Sequence, residues 1–265
     1  MNSIFEYQFV IDALLSMIFL SIVAGIIGTY IVVRRMVFVA GGITHASFGG
    51  IGIAYYFGVS PIGGAMMFAV LTALGIDILG NNGKVREDSA IAMLWSLGMA
   101  VGVLFMFLTP GYAPNLMGFM FGDVLAVSMP DVIAVGVVAL LATVVAAVFY
   151  RPIMYIAFAP SFAKLTLWNV RLISCLMSVF VAVALVLAIK AVGIILVLSL
   201  FTIPQSIANV FVKNLGKMMA VSVAISLVGS ICGLAAAFFF DLPAGAAITA
   251  LLTVVFLIVK LLVRN

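Results

Sequence analysis

The sequence predicts an all-α protein, a bundle of about nine helices (eight to ten) crossing a lipid bilayer, and three observations carry that prediction. Of 265 residues, 67% are hydrophobic and only 8% charged, against about 25% charged in an ordinary soluble domain. The mean hydropathy is +1.44. The apolar residues fall in runs of about 20, the length a helix needs to cross a hydrocarbon core of ~30 Å. No polar or Pro-rich stretch is long enough for a linker, so residues 1–265 read as a single membrane domain. Met1–Phe9 has no positive flank or small-residue cleavage site, so the first span is expected to be retained.

Read in order, the spans are 10–33, 36–57, 62–80, 89–108, 129–149, 172–190, 192–212, 218–240 and 244–262. Arg34-Arg35 closes the first. The second holds Gly41, Gly42, Gly49, Gly50 and Gly52 and is expected to be short or interrupted. Asp77 ends the third as a carboxylate reaching for the interface, near Asn81, Asn82 and Lys84. Glu87-Asp88-Ser89 opens the fourth, since carboxylates are favoured at a helix N-terminus. Lys190 ends the sixth and is expected to snorkel outward. Cys175 and Cys232 lie within apolar runs as small buried side chains. The small-xxx-small pairs Gly98/Gly102 and Gly229/Gly233 fit tight packing inside the fold as well as dimerisation.

Basic residues orient the set. With the N-terminus outside and the C-terminus cytoplasmic, every one of the 12 Lys and Arg residues except Lys190 falls on the cytoplasmic side. The net charge of +4 is therefore a topology signal, and a nucleic-acid partner is not expected. The outer loop 109–130 carries Pro110, Pro114 and the apolar stretch Met117–Leu125, too short to span, which lies on or dips into the membrane. The inner loop 151–171 carries Pro152 and Pro160, then Ser161–Val170, with Phe162, Leu165 and Trp168 at helical spacing and Lys164 opposite. Such an amphipathic helix is either an interfacial anchor or a docking element for a partner.

Catalytic chemistry is not expected. Gly80-Asn-Asn-Gly-Lys84 lacks the loop length and the Ser/Thr of a phosphate cradle. A catalytic triad is not expected, no two Cys/His stand at zinc-ligand spacing, and no cofactor is implied. Energy must come from an ion gradient or another subunit. His45 is the only histidine, set in Gly41-Gly-Ile-Thr-His-Ala-Ser-Phe-Gly-Gly50. An ionisable residue inside a membrane is costly there and marks a candidate site. Thr44 and Ser47 place hydroxyls beside it. The alternative is a neutral imidazole hydrogen-bonded across helices, with no ligand role.

Arg34-Arg-Met-Val-Phe-Val-Ala-Gly-Gly-Ile-Thr-His45 resembles the second-span signature of the ABC-type metal-ion (zinc, manganese, iron) permeases. The resemblance continues in order along almost the whole chain: Glu87-Asp-Ser-Ala-Ile91, Met117-Gly-Phe-Met-Phe-Gly-Asp123 with Ser128-Met-Pro-Asp131, Phe158-Ala-Pro-Ser-Phe-Ala-Lys164 with Arg171, Lys190-Ala-Val-Gly193 and Ile203-Pro204.

It implies a type II ABC importer-like permease in the inner (plasma) membrane of a prokaryote, working as a homodimer. Its implied partners are a cytoplasmic ABC ATPase, which would hydrolyse the ATP, and an extracytoplasmic solute-binding protein. The cargo would be a divalent metal ion, with His45 as a transient metal ligand and Thr44 and Ser47 beside it. The ATPase would couple through 158–170, by Phe158, Pro160, Phe162, Ala163, Lys164, Trp168 and Arg171. Three positions depart from the family pattern. Gly41 stands where an Asp is usual, and Ala159 and Ser161 stand where acidic residues are usual. An ABC permease for a metal chelate, an ion-gradient-driven secondary transporter and a membrane scaffold are the alternatives. A secondary transporter should show internal repeats and several charges at mid-span, and neither is evident.

Overall fold

The structure, a computed structural model, describes residues 8–81, 85–110, 122, 126–166 and 169–263. The described residues form helices α1 (Gln8–Val33), α2 (Val37–Tyr56), α3 (Pro61–Asn81), α4 (Glu87–Leu108), α5 (Met129–Val148) and α6 (Tyr150–Phe158). After these come α7 (Pro160–Thr166), α8 (Val170–Val192), α9 (Ile194–Leu200), α10 (Ile203–Phe211), α11 (Leu215–Phe240) and α12 (Ala244–Leu262). Among the described residues, nine stretches are long and apolar enough to cross a membrane, with Ile194–Phe211 counted as one. They agree with the expected spans to within a few residues. The helices present apolar side chains outward: Phe38 is 77% exposed, Phe107 88% and Phe239 81%. Lipid accepts such surfaces, whereas water does not.

Local chemistry sets the ends. Arg35 takes a left-handed φ of 59° between α1 and α2, and Gly58 one of 66° before Pro61 starts α3. At α4, Asp88 accepts from the Ser89 N–H at 2.9 Å and pairs with Arg86 at 3.0 Å. A capping box of Ser128 and Asp131 opens α5, and Asn214 accepts from the Lys217 N–H to open α11.

Two expectations are corrected. The second span is neither short nor interrupted, since α2 runs unbroken for 20 residues. Unwinding inside lipid would strand backbone N–H and C=O groups, and the glycines serve close packing instead. The seventh span, expected as one helix, breaks between α9 and α10, where Thr202 leaves the helical region at φ −131°. Pro204 brings no N–H to the ladder. Side chains cover the gap: Gln205 Nε2 donates to the Leu200 carbonyl at 3.0 Å, and the Thr202 hydroxyl to that of Leu198 at 2.6 Å.

The helices divide into two compact units. One holds residues 35–116 and 163–187, with α2, α3 and α4 packed on one another. The other holds 1–34, 117–162 and 188–265, in which α1 packs on α5 and α11, and α11 on α10 and α12. In this second unit Arg34 donates to the Ile156 carbonyl at 3.0 Å, and the Tyr150 hydroxyl accepts from the Gly216 N–H at 3.3 Å. Lys190, expected to snorkel outward, is exposed and pairs with Asp131 at the start of α5.

Candidate functional site

The site is built where α2 meets α4. Small residues let the two backbones touch. A Cβ on Gly49 would stand 2.8 Å from the Gly98 carbonyl oxygen, and one on Gly98 would stand 2.5 Å from the Ala46 Cα. Farther along, Gly52 lies against Gly102, while two turns before Gly49 and Gly98, Gly42 meets Ile91. These pairs advance together along both helices, so α2 and α4 run in the same direction. On another face of α2, Gly50 and Gly64 of α3 press backbone on backbone. Gly98/Gly102 therefore packs within the fold. Gly229/Gly233 does so too, against Leu252 and Ile248 of α12.

His45 sits in this seam, partly exposed. Its Nδ1 lies 3.0 Å from the Gly41 carbonyl oxygen, one turn back. A carbonyl oxygen only accepts, so Nδ1 carries the proton and Nε2 keeps the lone pair. Nε2 has no hydrogen-bond partner among the described residues. The Thr44 hydroxyl donates to the same Gly41 carbonyl at 2.8 Å and lies 3.4 Å from Nδ1, while the Ser47 hydroxyl donates to the Thr44 carbonyl at 2.6 Å. Both hydroxyls are fully buried and turned onto their own helix. They stand on the Nδ1 side or away from the ring, and the structure does not bring them to Nε2.

One participant was missed. The Trp95 indole of α4 stacks on the His45 imidazole, with ring centroids 4.3 Å apart and planes inclined by 29°. The signal was present: Ile91, Trp95, Gly98 and Gly102 follow helical spacing, so the residues meeting α2 carry Trp95 on the same face.

The arrangement offers one ring nitrogen on a helix wall. No three His, Cys, Asp or Glu residues cluster for metal ligation among the described residues. A single imidazole grips an ion weakly, which suits passage over storage.

The segment expected to couple to a partner is not one helix. It divides at Ala159, where φ is −138° and ψ is 66°, so Phe158 ends α6 while Phe162, Ala163 and Lys164 belong to α7. Phe158, Phe162 and Lys164 are exposed, and Ala163 is buried. The Phe162 ring packs edge-on against Tyr155 of α6, with centroids 5.1 Å apart. Arg171 is exposed in the first turn of α8. Pro160 starts α7, its side chain lying outside the description, and Trp168 lies outside the described residues altogether. So does the outer stretch Met117–Leu125, apart from Gly122.

A family model described as the ABC 3 transport family matches residues 6–263. A probable metal transport system membrane protein of Chlamydia pneumoniae is 34% identical over 238 residues, covering 88% of this chain and 81% of that protein. The manganese transport system membrane protein MntC of Halalkalibacterium halodurans is 30% identical over 255 residues, covering 96% and 87%. Among solved structures, PsaBC from Streptococcus pneumoniae in complex with a Fab is similar at a TM-score of 0.87 and 25% identity, covering 98% of this chain and 93% of that one.

Proposed function

The chain belongs to the ABC 3 transport family, and from that membership we propose that it is the membrane-spanning permease subunit of an ATP-driven importer for divalent metal ions: zinc, manganese or iron. It is a homodimer in the prokaryotic plasma membrane, with the N-terminus outside and the C-terminus cytoplasmic. A separate cytoplasmic ATPase supplies the energy and an extracytoplasmic solute-binding protein delivers the cargo. The names of the two relatives support a metal cargo. The exposed Phe158, Phe162 and Lys164 support a docking role for the segment around α7.

One observation carries the pathway assignment. Nδ1 of His45 is engaged by the Gly41 carbonyl, which leaves Nε2 as an open electron-pair donor on α2. An ion crossing this point exchanges part of its hydration shell for that nitrogen and leaves easily, because the remaining ligands are its own waters.

Uptake of Zn²⁺, Mn²⁺ and Fe²⁺ into vesicles containing the permease and its ATPase tests this. His45→Ala is expected to lower uptake about tenfold or more while the protein still assembles, as the loss of a metal-site residue commonly does. Undiminished uptake by that variant would sink the pathway assignment. Uptake only of a chelated metal would move the cargo to the chelate class.

A further inference from the structure

We propose that Trp95 is a positioning residue for His45, holding the imidazole so that only Nε2 faces the cargo and the pathway prefers a nitrogen-seeking divalent cation such as Zn²⁺ over Mn²⁺. This rests on the reading of His45 as a pathway ligand and deepens it.

Two contacts fix the imidazole, and each removes a different freedom. The Nδ1 bond to the Gly41 carbonyl chooses which edge of the ring turns back toward the helix. That bond alone leaves the ring plane soft, because the Thr44 hydroxyl at 3.4 Å offers Nδ1 a second partner. The Trp95 face, with its centroid 4.3 Å away and its plane inclined by 29°, removes that softness by blocking rotation of the ring about its Cβ–Cγ bond. A metal must approach a ring nitrogen in the plane of the ring, so the indole sets the direction from which Nε2 can be reached. Its π-face also favours the positive charge an imidazole shares once it is ligated.

The position of Trp95 follows from the seam. Gly42 on Ile91 and Ala46 on Gly98 bring the backbones together above and below it, and the ring between those levels has His45 as its neighbour.

The preference for Zn²⁺ follows from the donors in reach. The Thr44 and Ser47 oxygens are fully buried and held against carbonyls of α2, and the Gly41 oxygen already accepts from Thr44 and His45. No group of three or more His, Cys, Asp or Glu residues stands ready to ligate a metal among the described residues. Imidazole suits zinc, whereas Mn²⁺ favours carboxylate, carbonyl and water oxygens.

His45 is the only histidine, so ¹⁵N-histidine labelling of the full chain in bilayers reports one ring. The expected spectrum shows a single tautomer with Nδ1 protonated, and added Zn²⁺ shifts Nε2. Trp95→Phe, which keeps an aromatic face, should preserve both features. Trp95→Leu should give mixed tautomers, and in vesicles with the ATPase should lower the Zn²⁺ over Mn²⁺ uptake preference about tenfold, the scale of losing a supporting residue at a metal site. Trp95→Met, closer in bulk, replaces the leucine variant if that one fails to reach the membrane. An unchanged tautomer, or an unchanged preference, in the variant without the ring overturns the assignment of Trp95. A native Nε2 signal that ignores Zn²⁺ removes the ligand reading beneath it, whatever Trp95 does.

Discussion

The α2–α4 seam and the α1–α11 seam solve the same problem with different residues. Each brings two apolar helices together where lipid supplies no hydrophobic drive, so small residues and hydroxyls must do the joining. The first uses glycine: Gly49 on Gly98 and Gly52 on Gly102. Its hydroxyls, Thr44 and Ser47, are satisfied within their own helix, and Nε2 of the His45 imidazole is left open among the described residues. The second has one such glycine, Gly25 against Val223, and otherwise relies on serine. Ser16 and Ser21 of α1 and Ser222, Ser226 and Ser230 of α11 are fully buried. Thr29 bridges toward Ser222 at 3.5 Å, but the hydroxyls of Ser16, Ser21, Ser226 and Ser230 have no partner among the described residues. Glycine removes both polarity and slack and so isolates a site. Serine keeps polarity distributed and adjustable. The first seam should therefore be brittle to added volume and the second forgiving of lost hydroxyls.

The largest effect is expected from Gly52→Val. Its Cβ falls on the Gly102 carbonyl of α4, so backbone rather than a flexible side chain must give way. Overpacking of this kind costs about 3 kcal/mol, read as loss of membrane-inserted protein and a lowered unfolding temperature in detergent. A stable Gly52→Val protein would mean that α2 and α4 slide freely, and the claim of brittleness would be lost.

Gln205→Leu should come next, and it belongs to the serine-rich unit. The amide nitrogen ties the Leu200 carbonyl, freed by the α9–α10 break, to the Ala24 carbonyl of α1 at 2.7 Å. Leucine keeps the bulk but leaves the Leu200 carbonyl without its donor, at a cost of about 1–3 kcal/mol. The loss should appear as earlier thermal unfolding, with Gln205→Glu failing to rescue it because a carboxylate cannot donate. An unaltered transition would show that the break is satisfied some other way.

The contrast also separates what was legible in the sequence from what was not. The spans follow from apolar runs bounded by Arg34, Asp77, Glu87 and Lys190, because each boundary is local chemistry. His45 stands out for the same reason, as the one imidazole in an apolar run. Trp95 does not, because its meeting with His45 depends on how α4 registers against α2. The α2 glycines were misread as a break, since composition cannot separate a glycine that frees a backbone from one that admits a neighbour. The partner helix decides, and Gly64 and Gly98 do so here. The seventh span shows the reverse error: Pro204 was visible, but the break needed Gln205 to cover the exposed carbonyl. The outward reach of Lys190 is legible in the sequence, but its pairing with Asp131 is not, because Asp131 lies far away in the chain.

The smallest effect tests the forgiving side of the comparison most sharply. Ser226→Ala and Ser230→Ala each remove a buried hydroxyl that makes no bond in the structure. A serine without a neighbour across the seam can turn its proton onto the carbonyl four residues back, so deletion strands nothing. Interhelical hydrogen bonds in membranes average only about 0.6 kcal/mol even where they exist. Each variant should therefore unfold within about 0.5 kcal/mol of the parent, the scatter of neutral substitutions. Ser222→Ala, which loses a neighbour in Thr29, should be the weakest of the three by a small margin. If Ser226→Ala or Ser230→Ala instead costs as much as Gln205→Leu, the hydroxyls hold a partner of their own, most simply ordered water. The serine seam would then be as exacting as the glycine one, and the difference drawn between the two units would collapse.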